Sequence, residues 1–255
     1  MEDIISFYPL TADIEAFVVT RGVATDGDTY SSVNMCHYVG DDPGHVRDSR
    51  AEVCRRLGIP VANLVVPRQI HSADVAVLIG GPSSLVDVDA VVTGLSDVAI
   101  GVSTADCVPV VIADSNSGMI AAAHAGWRGA LAGIINNTVA SMLERGAVAS
   151  DMKALIGPCI CRDCFEVGDE VAALFPDKFV DKASGARPHV DLSGYVRDLL
   201  IKGGIPAYSI QGPVGCTRCN PQTYFSARRL GVASGRIFTG IIRRNNTQLV
   251  FNGAK

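Results

Sequence analysis

The sequence predicts a mixed α/β or α+β fold, a single layered sandwich of mixed β-sheets flanked by helices. Short β-branched segments bounded by Gly, Pro, Asp or Ser indicate strands, several of them buried on both faces. Apolar residues at helical spacing follow in the second half of the chain. Because the predicted strands cluster early and the helices late, the pattern disfavours a regular βαβ repeat.

The predicted strands share runs of Val, Ile and Ala between turn residues. Few of these runs alternate with polar residues, which is typical of strands covered on both faces. In chain order the segments are AFVVTR, NLVVPRQI, VAVLI, DAVVT, VAIGVST, VPVVIAD, MIAAAH and, near the end, RIFTGIIRR.

Helical spacing begins after His124. In WRGALAGIINNTVASMLERG the apolar residues recur at every third or fourth position, and Gly146 marks an end. Two further helices are predicted in FEVGDEVAALF, which Pro176 ends, and in LSGYVRDLLIKGG, which Asp191 or Ser193 caps. A short helix in SARRLG precedes the last strand.

Composition limits the range of partners. The chain has 255 residues, 48% of them hydrophobic, and a formal net charge of −4 with scattered Lys and Arg. Proteins that bind nucleic acid or anionic lipid usually carry clustered positive charge, which this sequence does not show. The N-terminus lacks a leader pattern, and no window approaches ~18 uninterrupted apolar residues. We therefore expect one domain over 1–255, cytoplasmic, without nucleic-acid or membrane partners, as a monomer or small homo-oligomer.

The eight cysteines of the chain are enough to form disulfides. The chain is long enough to form its own core and shows no sign of secretion, so reduced thiols or metal ligands are favoured over disulfides. The motifs CICRDC and CTRC contain Cys-x2-Cys pairs, which are ordinary zinc knuckles. They predict either a four-thiolate structural zinc site or simple reduced thiols. The cysteines concerned are Cys159, Cys161, Cys164, Cys216 and Cys219.

Two histidines and one cysteine lie at predicted strand ends. His71 follows VVPRQI, His124 ends MIAAAH, and Cys107 precedes VPVVIAD. Strand ends that converge at one edge of a sheet bring distant side chains around one ligand. Two imidazoles and a thiolate are the three-ligand set of a catalytic zinc, which would lower the pKa of bound water toward ~7. The alternative is three separate residues with ordinary core or hydrogen-bonding roles.

Six segments carry a recurring family pattern: RQIHSADV, DVDAVVTGLSDVAIGVSTADCVPVVIAD, MIAAAHAGWRGALAGI, IGPCICRDCFEVGDEV, VDLSGYVRDLLIKGGI and CTRCNPQTYFSARRLGVASGR. In order and spacing they resemble the YfiH-like family. The family is also called the laccase-domain or polyphenol oxidase family, and its members are described as purine nucleoside phosphorylases. The resemblance covers most of the chain and implies a layered α/β sandwich distantly similar to cysteine hydrolases of the cytotoxic necrotizing factor type.

The resemblance implies a zinc ion bound by His71, Cys107 and His124. It also implies phosphorolysis of adenosine, inosine, guanosine and methylthioadenosine, with hydrolytic deamination of adenosine besides. Two departures stand out. Ser72 follows His71 where the family usually has glycine, and the N-terminal RGVATDGDTYSSVN matches the family's glycine-rich loop only in part.

Phosphorolysis requires cations for the phosphate and an acid near the base. Arg21, Arg68 and Arg128 are candidate phosphate ligands, because a guanidinium fork suits a tetrahedral oxyanion and each lies near a predicted active segment. Surface ion pairs are the alternative for these arginines. Asp106 joins His71, Cys107 and His124 as a candidate catalytic residue that moves a proton, although it is as readily a turn residue. The candidate partners are thus purine nucleosides and phosphate.

Aromatic and glycine residues near these motifs carry weaker expectations. Trp127 is predicted to pack in the core, whereas Phe165, Tyr224 and Phe225 are candidates for stacking on a purine. The two glycines of GWRG either let backbone amides approach a ligand or simply form a tight turn.

Two other enzyme classes fit the same residues. Two imidazoles and a thiolate resemble a blue-copper ligand set, so copper-dependent oxidation of phenols is an alternative. A multicopper oxidase also needs a trinuclear cluster, for which the five histidines of this chain are too few. With Cys107 as nucleophile and His124 as base, the chain would be a Cys-His hydrolase such as a peptidoglycan-editing enzyme. A metal-binding protein without turnover is the non-enzymatic reading.

Overall fold

The computed structural model describes residues 3–24, 27–81, 85–182 and 187–245. The predicted domain span of 1–255 includes residues outside these ranges and stays a prediction. The helices in these ranges are α1 (Pro43–Leu57), α2 (Trp127–Ala132), α3 (Ile134–Leu143), α4 (Asp169–Ala172), α5 (Leu192–Lys202) and α6 (Ala227–Leu230). The strands are β1 (Ile5–Pro9), β2 (Ile14–Val19), β3 (Leu64–Val65), β4 (Val75–Leu78), β5 (Ala90–Thr93), β6 (Ala99–Thr104), β7 (Val108–Asp114), β8 (Met119–Ala125), β9 (Lys153–Ile156), β10 (Val180–Asp181), β11 (His189–Val190), β12 (Ile210–Gln211) and β13 (Ile237–Arg243).

The strands form two large mixed sheets and one small antiparallel pair. The first sheet has the order β1-β2-β13-β6-β3, and only β3 runs parallel to its neighbour. The second has the order β12-β9-β7-β8-β5-β4, with parallel pairs at both edges and antiparallel pairing in the middle. β10 and β11 form the small pair.

Two helical layers enclose the two sheets. The facing sides of the sheets share one apolar cluster, which includes Ile100 and Ile241 from the first sheet and Val111 and Ile120 from the second. The opposite face of the second sheet packs against α3 and α5, and that of the first packs against α1. The predicted sandwich of mixed sheets and flanking helices is confirmed. No helix in the described ranges is both long and apolar enough to cross a membrane.

Helix α1 is the largest element that the sequence analysis did not predict. The side chain of Asp42 accepts a hydrogen bond from an amide of the first turn, Pro43 occupies the first helical position, and Gly58 ends the helix with φ 67°. Its apolar residues, such as Val53 and Leu57, pack on the first sheet. The start and stop signals were therefore present, but the many charged residues between them obscured the apolar face.

The long predicted helix after His124 is divided in two. Gly133 adopts φ 98°, which ends α2 and begins α3 on a new axis. The helix predicted in FEVGDEVAALF is confined to α4. By contrast, α5 matches its prediction, and the carboxylate of Asp191 caps it by accepting a hydrogen bond of 2.8 Å from the Gly194 amide.

Strand pairing brings one set of strand ends together. The start of β7 pairs with the end of β8, with Pro109 opposite His124, and the start of β5 lies opposite Ala123. The turn before β7 crosses from the first sheet to the second, because β6 and β7 belong to different sheets. Residues from four separate segments therefore lie together at one end of the strands of the second sheet.

Candidate metal centre

Two imidazoles and one thiolate meet at this end of the second sheet. His71 lies between β3 and β4, Cys107 directly before β7, and His124 near the end of β8. Their ligand atoms all lie within 4.8 Å of one another, and Cys107 Sγ is 3.9 Å from His71 Nε2. The two imidazole rings meet edge to face with centroids 4.7 Å apart. The structure thus brings together the three residues selected from strand ends.

A buried carboxylate organises this cluster. Asp89 Oδ1 accepts hydrogen bonds from His124 Nδ1 at 2.7 Å and from the His71 amide at 3.0 Å. Its Oδ2 accepts from the Ser72 amide at 2.6 Å, the Ser72 hydroxyl at 2.9 Å and the Ile70 amide at 3.2 Å. Because a carboxylate only accepts, Nδ1 of His124 carries a proton and Nε2 is left to bind a metal.

Charges within the cluster shift three pKa values. Burial favours a higher pKa for Asp89, but the hydrogen bond and charge of His124 and the bonds from Ser72 lower it to about 2. Burial likewise favours a higher pKa for Cys107, but the charge and hydrogen bonds of the two imidazoles lower it to about 6. Burial favours a lower pKa for His124, whereas the Cys107 thiolate and Asp89 raise it to about 9. A metal ion would therefore replace a proton held between a thiolate and an imidazole.

The segment that carries His71 is held in a strained backbone conformation. His71 has φ 64°, a region that side chains other than glycine rarely occupy. The Gln69 amide group makes two hydrogen bonds with the Ser103 backbone, at 2.9 and 2.8 Å, and so ties this segment to β6. The hydroxyl of Ser72 adds a bond to Asp89 that a glycine could not make. The departure at Ser72 therefore strengthens the support of His71.

Gly126 lies between β8 and α2, and its lack of a side chain leaves room for the ligands. A Cβ added there would lie 2.8 Å from Cδ2 of His71 and 3.1 Å from Sγ of Cys107, although its φ of −67° suits alanine. We expect Gly126→Ala to push the ligands apart and weaken metal binding at least about tenfold. Competition titration with a chromophoric chelator measures this. Gly80→Ala, where an added Cβ meets nothing within 4 Å, is the control. Equal affinities in both variants would contradict this reading.

The cluster opens into a cavity of about 860 Å³, a size typical of small-molecule sites. The aromatic residues Trp127 and Phe165 line it, as do Arg228 and Arg236. Trp127 also packs against the core, as predicted, so it contacts both the core and the cavity. Among the aromatic residues considered for stacking, Phe165 is the one that lines this cavity in the described part of the chain.

A family model described as "multi-copper polyphenol oxidoreductase laccase" matches residues 15–244. The chain belongs to this family. The predicted resemblance is thereby confirmed, and the matched span includes all three residues of the His-Cys-His cluster.

Proteins with enzyme names are similar to this chain over most of their length. Adenosine deaminase RL5, from an unknown prokaryotic organism, is 43% identical to this chain, and the match covers 91% of this chain and 94% of the relative's length. A purine nucleoside phosphorylase of Bacteroides thetaiotaomicron is 35% identical over 91% and 92%. Among solved structures, Bacillus licheniformis YfiH superposes with a TM-score of 0.84, 27% identity and coverage of 91% and 93%. A Neisseria meningitidis protein superposes with a TM-score of 0.83 and 33% identity, and the match covers 95% of this chain and 100% of that protein.

In this laccase-family chain, Asp106 lines the cavity next to Cys107. Its Oδ1 accepts a hydrogen bond of 2.6 Å from the Thr217 hydroxyl, and its Oδ2 accepts one of 2.7 Å from the Arg228 amide. Its φ of 88° makes the sharp turn between β6 and β7. Asp106 therefore positions the Cys107 turn, and its role in proton transfer stays a prediction.

The three arginines predicted to bind phosphate have other partners in the structure. Arg21 is buried, and its guanidinium donates to a serine hydroxyl and a backbone carbonyl at 2.8 and 2.6 Å. Arg68 forms an exposed ion pair with Asp87 at 3.7 Å. Arg128 stacks on Trp127, with its guanidinium carbon 4.2 Å from the ring centroid. Within the described ranges, none of the three lines the 860 Å³ cavity.

Four functional side chains were missed by the sequence analysis. Gln69 and Asp89 support the ligands, and Arg228 and Arg236 bring positive charge to the cavity. Each lies in a segment that the analysis quoted, since Gln69 is two residues before His71 and Asp89 starts DAVVT. Arg228 and Arg236 are the first and last arginines of SARRLGVASGR. Their positions in these motifs were the available signal. The motifs did not reveal which residues next to the candidate ligands face the site.

Proposed function

We propose that this chain is a zinc-dependent enzyme acting on purine nucleosides. It converts adenosine, inosine, guanosine and methylthioadenosine, with phosphate, to the base and the ribose 1-phosphate, and it deaminates adenosine hydrolytically. The observation that carries the proposal is the His-Cys-His cluster opening into a cavity lined by aromatic rings and arginines. The names of the relatives, adenosine deaminase and purine nucleoside phosphorylase, support the same substrates. The proposal keeps the expectation of a cytoplasmic monomer or small homo-oligomer.

The donor set fits zinc. His71, Cys107 and His124 provide two imidazoles and a thiolate, which leaves a fourth tetrahedral position open. The bond from Asp89 fixes the tautomer and ring orientation of His124, as is usual for a metal-binding histidine. When bound, zinc would supply Lewis-acid chemistry that polarises a substrate oxygen or activates an oxygen nucleophile.

Phosphorolysis requires the chain to hold phosphate against C1′ of the ribose while the purine departs. Arg228 donates Nη1 to the Glu166 carbonyl at 2.9 Å and lies over the Phe165 ring, 5.7 Å from its centroid. A guanidinium has five N–H groups, of which this bond uses one, so Arg228 can also bind a phosphate oxygen. Phe165 and Trp127 offer apolar faces to the purine. Arg128 stacks on Trp127, which lines the cavity, and its phosphate role stays a prediction.

Deamination of adenosine replaces the C6 amino group with oxygen and releases ammonia, so a proton must move to the leaving nitrogen. Asp106 is the carboxylate that lines the cavity beside Cys107, and we assign it this predicted role. Its bonds to Thr217 and to the Arg228 amide hold it at a fixed place in the cavity wall.

Product analysis of protein with known metal content tests the proposal. With inosine and phosphate we expect hypoxanthine and ribose 1-phosphate, and with adenosine alone we expect inosine and ammonia. Both activities should disappear in a strong chelator and return when zinc is added, because the Lewis acid is removed and replaced. If fully metal-loaded protein releases no purine product, the proposed function is wrong.

A pair of adjacent arginines tests the phosphate site. Arg228→Gln is expected to raise the KM for phosphate roughly tenfold or more, because a charge-assisted hydrogen bond is worth about 1.5–3 kcal/mol. Arg229→Gln removes the same charge one residue away, where the side chain lines a different cavity, and should leave that KM unchanged. Equal effects of the two substitutions would point to overall charge instead of direct binding.

A Cys-His hydrolase is the second candidate, and one observation favours it. Asp89, His124 and Cys107 stand in the order of acid, base and nucleophile, with the bond from Asp89 to His124 at 2.7 Å. Such an enzyme would cleave an amide or ester bond, and its activity would persist in a chelator. Assays of amide and ester substrates in the same chelator therefore separate the two candidates.

Copper-dependent oxidation of phenols is poorly supported by the geometry despite the family's description. Of the five histidines, only His71 and His124 belong to a candidate metal cluster in the described part of the chain. A trinuclear copper centre would need several more imidazoles beside them. Copper could still displace zinc from this site, since it binds such ligands more tightly.

A further inference from the structure

A second cluster of metal-ligating side chains lies outside the cavity. The sulfur atoms of Cys161, Cys164, Cys216 and Cys219 all lie within 4.8 Å of one another. Four sulfurs around one tetrahedral zinc at ~2.3 Å would be about 3.8 Å apart. We propose that these four cysteines bind a structural zinc ion that is separate from the metal at the cavity.

The backbone presents the four thiols as two matching turns. Each pair is a Cys-x2-Cys segment, and Cys164 closes a short 3-10 turn that begins after Cys161. The Cys161 amide donates a hydrogen bond to Cys216 Sγ at 3.4 Å, a contact that stabilises a thiolate. The two segments are also joined through Cys159, whose amide and carbonyl bond to the residues on either side of Cys216. The thiols are therefore held together by main-chain bonds before any metal arrives.

A disulfide does not account for this arrangement. All eight cysteines are free, and the sulfurs of Cys164 and Cys219 are 3.4 Å apart. One disulfide would account for two of the four thiols, whereas one zinc ion accounts for all four. Arg218 lies inside the second turn, where its charge offsets part of the negative charge of four thiolates on one divalent ion, whereas Arg162 in the first turn pairs with Asp163 at 3.6 Å.

This ion would brace one wall of the cavity. Phe165, which lines the cavity, directly follows Cys164. Thr217 directly follows Cys216 and donates its hydroxyl to Asp106, the residue before Cys107. A zinc ion bridging the two turns would thus join the loop that carries Phe165 to the loop that supports the Cys107 turn. We assign the site a structural role because all four ligand positions are filled by protein.

Metal counting on the full chain tests the proposal. Protein purified under reducing conditions with zinc should hold two ions per chain. Cys107→Ala should retain one, and X-ray absorption should give four sulfur ligands at ~2.3 Å for that ion. The double substitution Cys164→Ser with Cys219→Ser should also retain one ion, which should show nitrogen and sulfur ligands. Cys159→Ala, in which a neighbouring thiol outside the cluster is removed, should retain two.

Three results would overturn the second site. One is a single ion in the parent protein and none in Cys107→Ala. Another is a disulfide between Cys164 and Cys219 in protein that was purified under reducing conditions with zinc. The third is a remaining ion in Cys107→Ala that has nitrogen ligands. The Cys107→Ala measurement does not depend on the double variant, so it decides the matter even if that variant fails to fold. Metal counts are also independent of purine products, so this site and the proposed function fail separately.

Discussion

Cys107→Ser is expected to remove the metal from the cavity site and to lower kcat/KM about a thousandfold or more. A serine hydroxyl does not ionise at neutral pH, whereas the pKa of Cys107 is lowered to about 6 by the two imidazoles. Loss of a Lewis acid costs several kcal/mol of transition-state stabilisation, and each ~1.36 kcal/mol is a factor of ten. The metal content and the rates of phosphorolysis and deamination are the quantities to measure.

The matched control is Cys54→Ser. Cys54 is buried in α1 on the first sheet, away from both cysteine-containing sites, so its substitution tests the general effect of replacing a core thiol with a hydroxyl. This control should retain metal and activity even if its stability falls. A Cys107→Ser protein with full metal content and normal rates would refute the assignment of Cys107 as a ligand.

Asp89→Asn is expected to weaken metal binding about 10- to 100-fold and to destabilise the fold by about 3–5 kcal/mol. The carboxylate is fully buried and accepts hydrogen bonds from His124, His71, Ser72 and Ile70. Asparagine has the same size, but one of its two polar atoms is a donor. At this buried position that donor would face the N–H groups that now donate to Asp89. Denaturant unfolding gives the free energy, and competition titration gives the metal affinity.

Asp74→Asn is the control for this substitution. Asp74 is an exposed aspartate close to the same strand edge, so its replacement removes the same formal charge without disturbing buried acceptors. We expect it to change stability by no more than about 0.5 kcal/mol. If the two variants behave alike, Asp89 contributes charge alone and does not orient His124.

The ligand set could be predicted from sequence because metal binding requires particular side chains at particular places. Cys107 and His124 stand where a strand begins or ends, His71 lies in the segment between β3 and β4, and the residues around all three carry the family pattern. The sandwich class could be predicted for a similar reason. Strands buried on both faces appear as continuous apolar runs, and in β7 and β8 every residue is indeed buried.

Other elements could not be predicted because their signals are not local. Strand β9 has only four residues, and its conformation depends on pairing with β7 and β12. Helix α1 is rich in charged residues, and its apolar side is defined by what it covers on the first sheet. Short or polar segments acquire their structure from the surfaces on which they pack.

The sequence by itself determined the layered class, the three candidate ligands and the cysteine pairs, since these depend on residue type and local spacing. The tertiary structure alone decided which residues serve the site. Asp89 meets His124 because β5 pairs with β8, and Gly126 is needed because His71 and Cys107 approach it from separate segments. Arg228 reaches the cavity through the bond of its amide to Asp106, 122 residues away in sequence. Contacts of this kind follow from strand order and register, which no single stretch of the chain contains.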